Sequence, residues 1–188
     1  MLEKYNLPNK LTVLRMIVAP VYLAVMLIPF EHHFFIGTLV FSVGAISDFL
    51  DGKLARKYNQ ISVFGKLCDP VGDKMLFLAA LLVFMKYDLC SPWIVMIIMS
   101  REFLVTSLRM VAVEQNIVIA AGIWGIVKTA AQMVSTIVTM LCMSFVPDDK
   151  RFITETVATV LLLILTFLTV VSGAKYLYDS LKQIDFKK

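Results

Sequence analysis

Six apolar stretches, each about the length of a membrane-crossing helix, dominate this chain of 188 residues. An α-helix rises ~1.5 Å per residue, so about 20 apolar residues cross the ~30 Å hydrocarbon core of a bilayer. The stretches are separated by short polar breaks and cover roughly residues 11–30, 34–57, 66–86, 92–114, 119–146 and 152–180. We therefore expect an all-α integral membrane bundle of six transmembrane helices, forming a single domain over residues 1–188.

The composition agrees with a membrane setting. Hydrophobic residues make up 59% of the chain, and charged residues make up 17%, against about 25% in a soluble domain. The mean hydropathy is +0.81. We expect membrane lipid to surround the chain, and we expect no nucleic-acid partner.

The basic residues predict the orientation of the bundle. Lysine and arginine accumulate on the cytoplasmic side of membrane proteins. Here they cluster at the N-terminus, around the break near residue 60 and at the C-terminus, whereas the opposite loops are nearly balanced in charge. The clustered residues are Lys4, Lys10, Arg15, Lys53, Arg56, Lys57, Lys66, Lys182, Lys187 and Lys188. This pattern predicts a multi-pass protein of the plasma membrane with both termini in the cytoplasm.

Four carboxylates interrupt the second and third apolar stretches. An ionised aspartate in hydrocarbon costs roughly 2.5–3.5 kcal/mol even on the lenient insertion scale. Asp48 and Asp51 are three residues apart and Asp69 and Asp73 are four apart, so each pair shares a helix face. Counted from the outer helix ends, Asp48 lies about 22 Å deep and Asp73 about 20 Å deep. We expect two antiparallel helices to face each other, so that the four carboxylates converge near the inner membrane surface.

This arrangement favours a divalent-metal site. Mg²⁺ and Mn²⁺ prefer oxygen ligands and keep positions open for substrate phosphates, and two such ions ~3.5–4 Å apart would clamp a pyrophosphate. Gly52 and Gly65 have no side chain, and Ala55 on the same face has only a small one, so a bulky nucleotide can approach the backbone beside the metals. Arg56 can bind a phosphate. The alternative is a purely structural charge network, in which the aspartates pair with nearby lysine and arginine.

The complete string resembles the signature of the CDP-alcohol phosphotransferase family, D-x-x-D-G-x-x-A-R followed after eight residues by G-x-x-x-D-x-x-x-D. All its fixed positions are matched, by Asp48, Asp51, Gly52, Ala55, Arg56, Gly65, Asp69 and Asp73. The resemblance implies a six-helix membrane enzyme, usually a homodimer, that cleaves a CDP-linked substrate at a two-metal site and releases CMP. It also implies that the four aspartates ligate the metals and that Asp73 is the general base.

Further polar residues predict the chemistry of the acceptor. Those at a similar depth are Asn9, Thr12, Arg15, Arg101, Arg109, Lys128 and Thr129. Arg101 and Arg109 are eight residues apart and share a helix face. Two arginines and a lysine beside a metal site favour an anionic acceptor, most simply a phosphomonoester. Alternatively, Arg101 pairs with Glu102 or a site aspartate for structure, and Arg109 and Lys128 are ordinary positive-inside anchors.

Three segments resemble the branch of the family that makes phosphatidylglycerol phosphate. These are P-N-x-L-T-x-x-R at residues 8–15, R-E-x-x-x-x-x-x-R at residues 101–109, and W-G-I-V-K-T at residues 124–129. In the last segment Ile126 replaces a lysine that the branch tends to carry, which removes one expected phosphate contact. The residues thereby expected to bind CDP-diacylglycerol are Asn9, Thr12, Gly52, Ala55, Arg56 and Gly65. Those expected to bind the acceptor phosphate are Arg15, Arg101, Arg109, Lys128 and Thr129.

The resemblance implies transfer of a phosphatidyl group from CDP-diacylglycerol to sn-glycerol 3-phosphate, giving phosphatidylglycerol phosphate and CMP. Within the family, inositol phosphate, serine or phosphatidylglycerol are alternative acceptors. An alternative of another class is a divalent-cation transporter, whose path would need polar residues that continue to the outer side. The second and third stretches are apolar from Phe34 to Ile46 and from Met75 to Met85, which argues against a transport path.

Overall fold

Six long helices make up most of the part of the chain that the structure describes. The structure, a computed structural model, describes residues 7–58, 63–115, 117 and 123–183, apart from the side chains of residues 7–15, 48–58, 63–71, 73, 124 and 148. The helices are α1 (Leu7–Leu27), α2 (His33–Tyr58), α3 (Val63–Lys86), α4 (Pro92–Glu114), α5 (Ile123–Phe145) and α6 (Arg151–Leu181), with a 3₁₀ turn at Asp148–Lys150. No strand occurs among these residues. The all-α expectation is confirmed.

Helix α1 packs against both α2 and α3. These two helix pairs make the most extensive contacts in the described part of the chain, and α2 and α3 touch each other much less. Tyr22 of α1 is fully buried, and its ring meets Phe41 of α2 edge-on with centroids 5.7 Å apart. The expectation that α2 and α3 face each other therefore describes only part of the packing, because α1 contacts each of them more extensively than they contact each other.

Polar groups at one end of the bundle fix how α1 and α3 align. Lys86, in the last turn of α3, donates from Nζ to the Leu27 carbonyl at 3.3 Å. The Tyr87 hydroxyl donates to the Met26 carbonyl at 3.2 Å. The last carbonyls of a helix have no partner within the helix, so these bonds satisfy the end of α1. The C-termini of α1 and α3 consequently lie together.

The other half of the bundle is built on α6. Helix α6 packs against α4 and α5, and α5 also packs against α2. The fully buried side chains Ile98, Met140 and Leu165 come from α4, α5 and α6 respectively. These contacts join the second half of the chain to the first.

The outward surface of the bundle is strongly apolar. Leu39, Phe103, Ile123 and Phe167 are among many large apolar side chains that are exposed. Among the described residues, two helical segments are long and apolar enough to cross a membrane, Gly125–Phe145 and Arg151–Leu181, and shorter apolar segments occur in α1 and α2. Exposed apolar surface of this extent is typical of a membrane-embedded protein.

Candidate active site

The four signature aspartates occupy matching positions in α2 and α3. Asp48 lies 10 residues before the end of α2 at Tyr58, and Asp73 lies 10 residues after the start of α3 at Val63, which is about 15 Å along each axis. Asp51 and Asp69 are likewise seven and six residues from the same ends. The two pairs are thus nearly symmetric about the short connection between the helices.

Helices α1, α2 and α3 approach one another most closely at Gly44. A Cβ atom built on this buried glycine would lie 2.7 Å from Leu76 Cδ2 of α3 and 3.2 Å from Val18 Cγ1 of α1. Real Cβ atoms essentially never lie as close to another heavy atom as this 2.7 Å distance to Leu76. A larger residue here would force the side chains of Leu76 and Val18 to shift, so glycine favours this three-helix contact.

Three of the sequence-predicted site residues lie one turn from this contact. Asp48 follows Gly44 by four residues, Asp73 precedes Leu76 by three, and Arg15 precedes Val18 by three. Residues three or four apart in a helix share a face. Arg15, Asp48 and Asp73 are therefore expected on the faces of α1, α2 and α3 that meet at Gly44.

Helix alignment gives the same level for Arg15 and Asp73 independently. Leu27 and Lys86 are hydrogen-bonded at the common end of α1 and α3. Arg15 lies 12 residues before Leu27 and Asp73 lies 13 residues before Lys86, which corresponds to ~18 and ~20 Å along the two axes.

The side chains of all eight signature positions, and of three other predicted site residues, lie outside the described part of the structure. These are Asn9, Thr12, Arg15, Asp48, Asp51, Gly52, Ala55, Arg56, Gly65, Asp69 and Asp73. Among the side chains that are described, no group of three or more His, Cys, Asp and Glu could hold a metal ion. Ligation by the four aspartates thus stays a prediction from the sequence and the helix register.

A second polar site lies between α4, α5 and α6. Glu102 accepts from Arg101 Nη1 at 3.2 Å and also from Lys128 Nζ, both through Oε1. The Lys128 side chain is only 5% exposed, and those of Arg101 and Glu102 are 13% and 14% exposed. Buried charges are expensive unless they are paired, and here one carboxylate serves two cations. We call Arg101, Glu102 and Lys128 the buried triad.

Helix α6 provides the remaining contacts of Arg101. Its Nη2 donates to Ser172 Oγ at 2.9 Å, and Ser172 Oγ donates to the Thr169 carbonyl at 3.1 Å. A Cβ built on the neighbouring Gly173 would lie 2.7 Å from Arg101 Cγ and 3.2 Å from Nε. Gly173 therefore gives the arginine stem room to lie against α6.

Lys74 relates the buried triad to the signature aspartates. It directly follows Asp73 in α3, and its charge acts on that of Lys128. Helix α3 also contacts α4, which carries Arg101 and Glu102. We therefore expect the two polar sites to be neighbours.

The structure separates the predicted acceptor residues. Arg101 and Lys128 come together on Glu102, whereas Arg109 is exposed two turns further along α4. The Thr129 hydroxyl donates to the Gly125 carbonyl of its own helix at 3.0 Å.

Glu102 entered the sequence prediction only as a structural partner of Arg101, and Ser172 and Gly173 did not enter it. The available signals were a carboxylate directly after Arg101 in an apolar helix, and a Ser-Gly pair within the apolar α6.

The packing at Gly44 gives a first testable prediction. We expect Gly44→Ala to lower the thermal midpoint in detergent, because overpacking costs about 1–3 kcal/mol. This loss should appear although alanine favours a helix over glycine by ~1 kcal/mol. The matched control is Gly125→Ala, where a Cβ would have nothing within 4 Å. Equal midpoints for the two variants would contradict the close three-helix contact.

Comparison with known proteins agrees with the sequence signature. The sequence profile described as CDP-alcohol phosphatidyltransferase matches residues 5–172 of this chain. The chain is 36% identical over 184 residues to a CDP-diacylglycerol–glycerol-3-phosphate 3-phosphatidyltransferase of Bacillus subtilis (strain 168), covering 92% of this chain and 93% of that protein. Proteins of the same name from Haemophilus influenzae (38% identity, 70% of this chain and 74% of theirs) and Rickettsia felis (33% identity, 91% and 93%) are also similar.

Proposed function

Because this chain belongs to the CDP-alcohol phosphatidyltransferase family, we propose that it transfers the phosphatidyl group of CDP-diacylglycerol to sn-glycerol 3-phosphate. The products are phosphatidylglycerol phosphate and CMP. The curated relatives named above carry this activity in their names, and the chain matches three segments of the corresponding branch.

The three-helix contact at Gly44 is the observation that carries the proposal. It brings α1, α2 and α3 within van der Waals distance at residues that lie one helical turn from Asp48, Asp73 and Arg15. A reaction between a pyrophosphate and a hydroxyl needs carboxylates and a cation at one place. The helix register around Gly44 supports a site of this kind, formed by Asp48, Asp73 and Arg15.

The chemistry of the donor set fits divalent metal ions. Asp48, Asp51, Asp69 and Asp73 would hold two Mg²⁺ or Mn²⁺ ions, which would neutralise charge on the pyrophosphate. Asp48 lies as far from the end of α2 as Asp73 lies from the start of α3, which fits a metal site shared by the two helices.

The protein's own residues supply the other steps. Asp73 accepts the proton of the acceptor hydroxyl, and the resulting oxygen attacks the phosphorus that carries the lipid, in line with departing CMP. Arg56 holds the phosphate of CMP as it leaves, because a guanidinium matches phosphate oxygens with paired donors. Asn9, Thr12, Gly52, Ala55 and Gly65 complete the binding surface for CDP-diacylglycerol.

Cations on α1, α4 and α5 select the acceptor. Arg15, Arg101, Arg109 and Lys128 present donors for the phosphate of glycerol 3-phosphate, whereas the hydroxyl of Thr129 donates within its own helix. The charge of the buried triad supports this role, since two cations share a single carboxylate. One net positive charge remains there to attract a phosphomonoester.

The proposal includes a membrane topology. All six helices cross the plasma membrane, both termini lie in the cytoplasm, and the end of the bundle near residues 59–62 faces the cytoplasmic leaflet. The apolar outer surface supports this arrangement. A site at the cytoplasmic leaflet lets the nucleotide and glycerol 3-phosphate arrive from water while the acyl chains stay in lipid. The family resemblance also supports a homodimer.

The packing disfavours the transporter alternative. On the outer side of Gly44, the space between α1, α2 and α3 is filled by the buried side chains of Tyr22, Met26, Phe41 and Phe84. A cation path would need polar groups there.

An acceptor panel tests the proposed reaction. Purified enzyme with labelled CDP-diacylglycerol should release CMP with glycerol 3-phosphate, and much less with glycerol, serine, inositol phosphate or phosphatidylglycerol. Preference for any of the other acceptors would assign the chain to a different branch of the family.

Substitution of Arg109 tests the phosphate contact. We expect Arg109→Gln to raise the acceptor KM roughly 10- to 150-fold, because a charge-assisted hydrogen bond contributes about 1.5–3 kcal/mol. The KM for CDP-diacylglycerol should stay near its original value. The control is Lys150→Gln, at an exposed cation in the turn before α6. An equal rise in both KM values would contradict the assigned role.

A further inference from the structure

The contacts of Arg101 and Lys128 use only part of their hydrogen-bonding capacity. Glu102 Oε1 receives a donor from each cation, and Ser172 Oγ receives Nη2 of Arg101. A long cationic side chain has much rotamer freedom to lose on ordering. Contacts to Glu102 in its own helix and to Ser172 in α6 therefore hold Arg101 in a single position.

Arg101 still has a donor to offer. Its Nε is buried and has no hydrogen-bond partner among the described residues. An unpaired buried donor costs about 1–3 kcal/mol. Nε itself lies against Gly173, so the donors left for a further oxygen are the unused N–H groups of Nη1 and Nη2.

We propose that Glu102 and Ser172 are positioning residues for the acceptor. Glu102 holds Arg101 and Lys128 side by side, and Ser172, with the space left by Gly173, anchors Arg101 to α6. The pair of cations is thereby preorganised for the phosphate of the acceptor. This inference rests on the proposed function, because it assumes an acceptor that carries a phosphate.

A purely electrostatic effect and a positioning effect predict opposite changes in the acceptor KM of Glu102→Gln. The substitution keeps the shape of the side chain and removes its negative charge. If the cations acted only through their field, the extra net positive charge would lower the acceptor KM. If Glu102 positions them, the KM should rise despite the more favourable field.

The experiment measures both KM values and kcat for Glu102→Gln. We expect the acceptor KM to rise about tenfold, the size of one lost charge-assisted hydrogen bond, with the KM for CDP-diacylglycerol unchanged. The matched control is Glu155→Gln, which removes a carboxylate paired with Arg151 at 3.0 Å on the outer part of α6. An unchanged or lower acceptor KM would overturn the proposal.

Ser172→Ala provides a second test that leaves every charge in place, should Glu102→Gln fail to fold. It removes the anchor of Nη2, and we expect the acceptor KM to rise at least about threefold with the KM for CDP-diacylglycerol unchanged. The matched control is Ser107→Ala, at an exposed serine of α4. Equal acceptor KM values for Ser172→Ala and wild type would overturn the role of Ser172 and, with it, the proposal.

The wild-type acceptor panel separates this inference from the proposed function. If wild type prefers an uncharged acceptor, the proposed function fails and the inference fails with it. If wild type uses glycerol 3-phosphate and both variants retain its KM, only the positioning role fails.

Discussion

Asp73→Asn is expected to lower kcat by at least ~100-fold, the usual contribution of a general base. Asparagine keeps the size of the side chain but cannot accept the proton of the acceptor hydroxyl, and it is a weaker metal ligand than a carboxylate. The variant should insert and remain folded, because Asp73 is one position in the long helix α3. Turnover of labelled CDP-diacylglycerol in detergent measures the effect.

Asp88→Asn is the matched control for Asp73→Asn. Asp88 is exposed in the turn after α3 and has a φ of 60°, which asparagine adopts as readily as aspartate. Its turnover should equal that of wild type. Near-normal turnover of well-folded Asp73→Asn would show that Asp73 is not at the reacting centre.

Removal of divalent metal is expected to abolish activity. Carboxylates are the ligands that Mg²⁺ and Mn²⁺ prefer, and four of them stand at matching positions in α2 and α3. Chelation with EDTA should stop CMP release, and added Mg²⁺ or Mn²⁺ should restore it. Full activity after exhaustive chelation would exclude the metal-dependent mechanism.

Metal binding can also be measured without turnover. A ligand that binds only the folded state stabilises it by about 2.7 kcal/mol at 100 times its Kd. Mg²⁺ should therefore raise the thermal midpoint of the wild-type protein in detergent, and should raise that of Asp48→Asn much less. Equal shifts in the two proteins would show that the ion binds elsewhere.

Helix positions were predictable because they depend on local sequence. The apolar stretch at 34–57 became α2 at His33–Tyr58, and the stretch at 92–114 became α4 at Pro92–Glu114. A long run of apolar residues favours a helix wherever backbone groups cannot bond to water. Polar breaks end such runs, so helix bounds follow from composition within a few residues.

The position of α1 was not predictable in this way. An apolar helix carries no periodic pattern that marks which face meets a neighbour. The site had been predicted from α2 and α3 alone, whereas α1 contacts α2 through Tyr22 and Val18 and α3 through the bond from Lys86 to the Leu27 carbonyl. The contact at Gly44 joins positions far apart in the sequence.

The sequence by itself determined the all-helical class, the family and the signature aspartates, because each depends on residue type and spacing along one chain. Tertiary structure decided which cations share a partner. Arg101 and Lys128 meet on Glu102 while Arg109 remains exposed, and Ser172 reaches Arg101 across 71 residues of chain. The physical reason is that burying a charge requires a partner from whichever helix packs beside it, and helix packing depends on all six helices together.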